Sequence, residues 1–245
     1  AMLATTAIGA IWSSSSPDFG IKGVLDRFTQ IEPKVLFAAN GYFYNGKEFN
    51  SLEKLNSILD KLPSVDQVVI TPFTESNPDI SSVNNGILWN DFLDSDPSTI
   101  KFEQLPFDHP LYIMYSSGTT GLPKSIVHGA GGTLLQHLKE LRLHTNISQD
   151  DTVFYFTTCG WMMWNWLVSN LAIGATIVLY DGTPFYPSPN AMWDIVDELG
   201  ITHFGTSAKF IDACRQEGLS PTNTNSLETL RTILSTGSPL VEESF

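Results

Sequence analysis

The chain reads Tyr115-Ser116-Ser117-Gly118-Thr119-Thr120-Gly121-Leu122-Pro123-Lys124 directly after a short apolar segment, residues 111–114. Glycines let the backbone come close to an anion, and hydroxyl and N–H groups donate hydrogen bonds to phosphate oxygens. The lysine at the end of the run supplies a flexible ammonium group. This combination is typical of a loop that binds the phosphates of a nucleotide.

Two other interpretations of the run are weaker. Its spacing nearly fits a Walker A loop, because Lys124 and Ser125 follow Gly118 at the required positions. Pro123 stands where the second Walker glycine belongs, and proline lacks the N–H group that would approach a phosphate. A P-loop NTPase is therefore disfavoured. A surface turn rich in Ser, Thr and Gly has a similar composition, but the lysine behind so ordered a run favours the phosphate loop.

The pattern [YF]-[ST]-S-G-[ST]-T-G-x-P-K resembles the signature of the acyl-adenylate-forming enzymes, which include acyl-CoA synthetases, luciferases and the adenylation domains of peptide synthetases. Three further segments, residues 160–166, 174–182 and 235–240, resemble the acyl-CoA synthetase core. Residues 11–20 and 161–166 resemble most the branch that activates acetoacetate. The similarity runs along essentially the whole chain.

This resemblance implies a ligase that uses ATP, Mg²⁺ and coenzyme A. The carboxylate of acetoacetate attacks the α-phosphorus of ATP, which gives acetoacetyl-AMP and pyrophosphate, and coenzyme A then forms acetoacetyl-CoA. Such a reaction mainly requires that the phosphates be held and their charge neutralised. The expected partners are therefore small molecules, namely acetoacetate, ATP and coenzyme A, with neither nucleic acid nor membrane among them.

The same resemblance assigns residues to two nucleotide sites. The residues expected to bind the phosphates are Ser116, Ser117, Gly118, Thr119, Thr120, Gly121 and Lys124, with Lys124 and Thr119 in the catalytic role. The residues expected to contact adenine are Gly237, Ser238 and Pro239. They directly follow a predicted strand, where open α/β sheets place ligands. A simple strand-to-helix turn is the alternative.

An acyl pocket is expected around the aromatic segment of the chain. By resemblance Trp161 forms a wall of this pocket, and Met162 and Met163 shape the surroundings of the acyl group. Asn165 or the Trp164 N–H group is a candidate donor to the 3-oxo group of acetoacetate. Ordinary core packing is the alternative, because aromatic and Met residues at helical spacing are common in cores.

Charge and composition narrow the function classes. A chain of 245 residues with 42% hydrophobic and 16% charged residues can bury a core. Its net charge of −13 disfavours a broad attraction to nucleic acid or anionic lipid. Anionic substrates must then be met locally, by Lys124 and by Lys47. By resemblance coenzyme A passes near Ser13 and Ser14, with Lys47 meeting one of its phosphates.

Metal, disulfide and membrane signals are weak. Cys159 and Cys214 form neither a disulfide framework nor a C-x-x-C pattern, which fits core thiols in a reducing, cytosolic setting. His137 and His144 are seven residues apart rather than three or four, and His203 has no recognisable partner, so we assign no metal site. Residues 152–180 carry no charge, but polar residues interrupt them and predict two strands around a helix.

Helix and strand signals alternate and predict an α/β fold with layered, largely parallel sheets flanked by helices, as in the N-terminal domain of acyl-CoA synthetases. The strand candidates are residues 35–38, 67–71, 111–115, 153–157, 176–180, 202–205 and 232–236. One predicted helix covers residues 51–62, with Ser51 as its cap. Another covers residues 133–144 and presents one side with Leu134, Leu138 and Leu141, away from the solvent side with Lys139, Glu140 and Arg142.

We expect residues 1–245 to be an incomplete AMP-binding domain. A chain that begins at Ala1 without an ordinary signal peptide looks excised from something longer. It ends before the family's Thr-Glu or Thr-Asp motif, its ribose-binding aspartate and the C-terminal domain with its catalytic lysine. A second hypothesis is a short protein that binds a nucleotide or a partner without turnover.

Overall fold

The computed structural model of the chain describes residues 1–94, 99–116 and 121–244. It consists of two compact units, Ala1–Gly132 and Thr133–Phe245. The predicted α/β architecture with largely parallel sheets is confirmed in both.

The first unit contains a three-stranded parallel sheet, a hairpin and a mixed sheet. Its helices are α1 (Met2–Ala7), α2 (Gly20–Phe28), α3 (Leu52–Leu59) and α4 (Trp89–Phe92). Its strands are β1 (Trp12–Ser13), β2 (Val35–Ala39), β3 (Gly41–Tyr44), β4 (Lys47–Asn50), β5 (Gln67–Thr71), β6 (Gly86–Leu88), β7 (Pro110–Ser116) and β8 (Lys124–Gly129). The parallel sheet has the order β2-β5-β6, and the mixed sheet has the order β1-β7-β8.

The core of the first unit forms where α2 and α3 cover the parallel sheet. Val68 and Ile70 on β5 are fully buried, and Phe28 and Leu55 pack against them from the helices. The helix predicted for residues 51–62 is thus present, although the α-helix ends at Leu59.

The cap predicted for this helix is wrong. Ser51 makes no capping bond with its side chain. The Oδ1 atom of Asn50 instead accepts hydrogen bonds from the N–H groups of Leu52 (2.8 Å) and Glu53 (3.4 Å). The side chain one residue earlier therefore satisfies the free donors of the first turn, as Asn does readily.

The second unit is one parallel sheet of four strands with helices on both faces. Helix α5 (Ala130–Lys139) begins just before this unit and continues within it as a π-helical segment, Glu140–His144. The remaining elements are β9 (Thr152–Tyr155), α6 (Met162–Ser169), β10 (Thr176–Val178), α7 (Ala191–Glu198), β11 (His203–Ser207), α8 (Ala208–Gln216), α9 (Pro221–Thr224) and β12 (Thr232–Thr236). The strand order is β10-β9-β11-β12.

Side chains of this sheet alternate between two cores, as the pleat requires. Phe154 and Phe204 pack with α7 and α8 on one face. Val153 and Tyr155 pack with α6 and the π-helical segment on the other. The uncharged segment 152–180 forms β9, α6 and β10, as predicted, and no helix in the described part of the chain is long and apolar enough to cross a membrane.

Before α5 the structure contains a strand that the sequence did not predict, and two predictions for the helix itself are wrong. The residues before it form β8, which pairs antiparallel with β7, so the phosphate-loop sequence connects two strands of a hairpin. The helix itself begins at Ala130. Leu134 is 46% exposed rather than buried, whereas Leu141 is fully buried.

Candidate functional site

The β7–β8 hairpin carries the sequence predicted to bind phosphates. Lys124 is the first residue of β8 and pairs with Ser116, the last residue of β7. Both therefore lie where the hairpin opens into the loop. Gly121 has a φ of 152°, a left-handed conformation that glycine tolerates. The predicted residues Ser117, Gly118, Thr119 and Thr120 lie outside the described residues.

Gln30 joins the second strand of this hairpin to the end of α2. Its Nε2 atom donates a hydrogen bond to the carbonyl oxygen of Pro123 (2.9 Å), and its Oε1 atom accepts one from the Ser125 hydroxyl (3.1 Å). Gln30 thus contacts the residues on both sides of Lys124. The bonds restrict where the backbone of Lys124 can lie.

Tyr115 ties the first strand of the hairpin to β1 and α2. Its hydroxyl donates to the carbonyl oxygen of Arg27 (3.4 Å) and lies 3.2 Å from the Ser13 hydroxyl. The guanidinium of Arg27 lies over the rings of Phe19 (4.4 Å) and Tyr115 (5.7 Å). Burial raises the pKa of Tyr115, so its hydroxyl keeps its proton at neutral pH.

The residues predicted to lie near coenzyme A also fall in the first unit. Ser13 lies on β1, where its hydroxyl donates to the carbonyl oxygen of Ile113 (2.8 Å), and Ser14 follows it. Lys47 begins β4 and is exposed.

A cavity of about 420 Å³ opens at the carboxyl ends of β9 and β12 in the second unit. Its volume is in the range of small-molecule sites. The residues that line it are Lys139, Glu140, His144, Thr145, Tyr155, Met162, Met163, Trp166, Leu234, Ser235 and Thr236. They come from the π-helical segment and its flanks, from the first turns of α6 and from the two strand ends.

The predicted acyl-pocket residues divide into two groups. Met162 and Met163 line this cavity from the first turn of α6. Trp161 precedes the helix and is 55% exposed, and Asn165 is almost fully buried at 3%. The carbonyl oxygen of Asn165 accepts a hydrogen bond from Ser169 (2.9 Å). Neither Trp161 nor Asn165 belongs to the described lining.

Tyr155 and Thr236 form a hydrogen-bonded pair at the strand ends. The Tyr155 hydroxyl donates to the carbonyl oxygen of Thr206 (3.1 Å) and lies 2.8 Å from the Thr236 hydroxyl. Because the single proton of Tyr155 goes to the carbonyl, Thr236 must donate to Tyr155. Burial raises the pKa of Tyr155 and keeps this pattern in place at neutral pH.

The residues predicted to contact adenine follow this pair directly. Gly237 comes immediately after Thr236 and has a φ of 90°, which lets the chain turn sharply at the end of β12. Ser238 and Pro239 are exposed after it. The predicted adenine turn therefore begins at the edge of the cavity.

The sequence did not reveal a polar cluster at the amino ends of β9, β11 and β12. His203 was expected to lack a partner, but its ring lies 2.9 Å from the Thr202 hydroxyl and 3.8 Å from the Asp151 carboxylate. Asp151 also pairs with Arg231 and accepts from Ser148. Burial lowers the pKa of His203 and favours its neutral form.

The two cysteines are free thiols that differ in burial. Cys214 is buried, as expected for a core thiol, and burial raises its pKa, whereas Cys159 is only half-buried. Within residues 1–94, 99–116 and 121–244, no group of three or more His, Cys, Asp or Glu residues is arranged to hold a metal ion.

A family model described as AMP-binding enzyme matches residues 1–245. The chain belongs to this family. The resemblance drawn from the phosphate-loop signature is thereby confirmed.

Within the AMP-binding family, the chain is similar to several acyl-CoA synthetases. It is 57% identical over 252 residues to an acetoacetyl-CoA synthetase of Gallus gallus, covering 100% of the chain and 38% of that relative. It is 46% identical over 266 residues to the malonamoyl-CoA synthetase vrtB of Penicillium aethiopicum, covering 100% and 37%. The solved structure of an acetoacetyl-CoA synthetase from Streptomyces lividans matches with a TM-score of 0.92 and 44% identity, over 99% of this chain and 37% of that one. The chain thus spans less than two fifths of the length of these relatives.

Proposed function

We propose that this chain carries the nucleotide and acyl sites of an acid–thiol ligase that converts acetoacetate to acetoacetyl-CoA in a longer polypeptide. A bond forms between a carboxylate oxygen of acetoacetate and the α-phosphorus of ATP, and pyrophosphate leaves. The sulfur of coenzyme A then bonds to the acyl carbon, the thiol gives up its proton, and AMP leaves. The observation that carries this proposal is the cavity that adjoins the predicted adenine turn.

The position of this cavity supports an acyl site. Parallel α/β sheets bind ligands at the carboxyl ends of their strands, and the cavity lies at that edge of β9 and β12. An adenylate held on residues 237–239 would have its acyl group beside Thr236. Met162 and Met163 then supply adaptable apolar contacts for a short carbon chain.

The side chains of the described hairpin residues are suited to binding the phosphates of a nucleoside triphosphate. Lys124 and Ser116 pair at the open end of the hairpin and bring an ammonium and a hydroxyl there. Both groups are able to donate hydrogen bonds to phosphate oxygens. Mg²⁺ usually keeps water ligands and binds substrate phosphates rather than a cage of protein side chains, which agrees with the donor set described. When bound, it would share the phosphate charge. We retain Lys47 as the residue that meets a phosphate of coenzyme A, and we place the reaction in the cytosol.

The names of the relatives indicate a class of acid. Acetoacetyl and malonamoyl groups both carry a carbonyl at the third carbon, next to a methyl group in one and an amino group in the other. We infer that this chain takes acids with a 3-carbonyl group, and acetoacetate first.

The test is carboxylate-dependent exchange of labelled pyrophosphate into ATP. It compares acetoacetate with acetate, using this chain and a version extended to the full length of the relatives. We expect exchange that depends on acetoacetate in the extended version. If both folded proteins lack exchange, the ligase proposal fails and a protein that binds a nucleotide or a partner without turnover replaces it.

A further inference from the structure

The cavity of the second unit has two chemically different sides. Met162, Met163, Trp166 and Leu234 form an apolar side. The other side consists of the π-helical segment and the residues next to it, and it is polar. An acyl chain that enters from the adenine turn would pass the apolar side and place its far end near the polar one.

The polar side is built on an unusual backbone. The N–H group of Thr145 donates to the carbonyl oxygen of Glu140 (2.9 Å), five residues earlier, which is the π-helical pattern. Such segments are rare and often occur at functional sites. Leu141 within the segment is fully buried, so the backbone is anchored to the core while its neighbours line the cavity.

Several polar groups of the lining are already engaged. The protons of Tyr155 and Thr236 go to Thr206 and Tyr155, respectively. The carboxylate of Glu140 accepts a hydrogen bond from Gln136. These groups offer a ligand no free hydroxyl proton and one negative charge. The Ser235 hydroxyl, which also belongs to the lining, is buried at the strand end without a partner among the described residues.

Two nitrogen donors of the lining remain available. Lys139 directly precedes the π-helical segment and His144 is its last residue. Both line the cavity. Among the described residues, neither side chain has a hydrogen-bond or ion-pair partner. Both can donate to a carbonyl oxygen. The carboxylate of Glu140, next to Lys139, offsets the charge of the ammonium, so this side of the cavity gains little from a second carboxylate on the acid.

We propose that Lys139 and His144 form the subsite that binds the carbonyl oxygen on the third carbon of the acid. This inference rests on the proposed function and adds the residues that select the substrate. It assigns to the π-helical segment the role for which the sequence suggested Asn165 or Trp164. The subsite favours acetoacetate over butyrate, which has the same chain length without the carbonyl, and over malonate, which adds a charge.

The experiment measures kcat/KM for acetoacetate, butyrate and malonate with the full-length polypeptide that contains this chain. The variants are Lys139→Met and His144→Phe. Each should lower the ratio of acetoacetate to butyrate by about tenfold, the loss expected for a hydrogen bond from a charged or strongly polar donor. His144→Gln keeps an N–H donor and should retain more of the ratio than His144→Phe.

Arg142→Met is the matched control, because Arg142 lies in the same segment, is exposed and does not belong to the described lining. It should leave the ratio unchanged. An active wild type whose ratio survives both Lys139→Met and His144→Phe would overturn the subsite and leave the ligase intact. Equal use of malonate and acetoacetate would also overturn it. A wild type that activates none of the acids would overturn both proposals.

Discussion

Lys124 lies opposite Ser116 at the point where the β7–β8 hairpin opens. This position is set by strand pairing, and Lys124 does not lie at a helix N-terminus. The sequence identified Lys124 from its place behind a Gly/Ser/Thr run. It did not show that the residue begins a strand.

Lys124→Ala should weaken the binding of Mg-ATP by about tenfold or more, because it removes a charged donor to phosphate. Titration calorimetry on the folded variant measures the change. Lys209→Ala, at an exposed position on α8, is the matched control and should bind as the wild type does. Equal affinity of Lys124→Ala and wild type would remove the lysine from the phosphate site.

Gly205 lets the ring of Tyr155 pack against the backbone of β11. A Cβ atom at this position would lie 2.1 Å from Cδ2 of Tyr155. Gly205→Ala should therefore lower the free energy of unfolding by about 1–3 kcal/mol and displace Tyr155 from Thr236. Urea unfolding measures the loss.

Gly132→Ala is the control for this substitution. Nothing lies within 4 Å of its Cβ position, and the residue is in α5. We expect this change to be neutral or to stabilise the chain by up to about 1 kcal/mol. If Gly205→Ala were as stable as Gly132→Ala, the close packing of Tyr155 would be refuted.

Among the elements, α2 is linked to the β7–β8 hairpin by Gln30, which lies two residues after the end of the helix. Gln30→Ala removes the bonds to Pro123 and Ser125 on either side of Lys124. Because Gln30 is exposed, the free energy of unfolding should change by less than about 1 kcal/mol. The dissociation constant of Mg-ATP should nevertheless rise several-fold.

Gln216→Ala serves as the control for Gln30→Ala, since Gln216 is an exposed glutamine whose side chain bonds to Asp212 within its own helix. It should leave nucleotide affinity unchanged. The same affinity for Gln30→Ala would show that the hairpin needs no support from α2.

Elements were predictable where local patterns decide them. Strands β5 and β12 have the predicted bounds, because each is a β-branched run between turn residues. Strand β8 was missed because it is defined by its pairing with β7, which its own sequence does not reveal after Pro123. The π-helical segment was predicted only as a helix, because the apolar spacing of five residues does not distinguish hydrogen bonds five residues apart from those four residues apart.

For the molecule as a whole, the sequence identified the family and predicted largely parallel sheets, but it did not reveal the cavity. Its lining residues are spread from Lys139 to Thr236 and meet only through the pairing of β9, β11 and β12. The buried cluster was missed for the same reason. Asp151 and Arg231 are 80 residues apart, and they meet because the strands that follow them, β9 and β12, both pair with β11.

This cluster gives the chain a predictable pH dependence. Burial holds the pKa of His203 below the ordinary value of 6.5, so the unfolded chain binds a proton more readily than the folded one. Its contribution to stability is therefore present above pH 6.5 and is lost as the pH falls toward the lowered pKa. The groups that face the ring include the Asp151 carboxylate at 3.8 Å and the carbonyl oxygen of Thr145 at 3.3 Å, and the bond to Thr145 opposes the effect of burial on the pKa of His203.

His203→Gln should flatten the dependence of the free energy of unfolding on pH between about 5 and 7. Urea unfolding at several pH values measures this slope for the variant and the wild type. The absolute stability of the variant is expected to fall, because a buried hydrogen-bonding group changes, but the slope is a separate reading. An unchanged slope would mean that His203 does not titrate differently in the folded chain.

A structure of the full-length polypeptide with a hydrolysis-resistant acetoacetyl sulfamoyl adenosine would show directly where the acid binds. We expect adenine on Gly237, Ser238 and Pro239, and the acetoacetyl group in the cavity between Met162 and the π-helical segment. The 3-oxo oxygen should lie within hydrogen-bond distance of Lys139 or His144. An acyl group bound outside this cavity would refute both the acyl site and the proposed subsite.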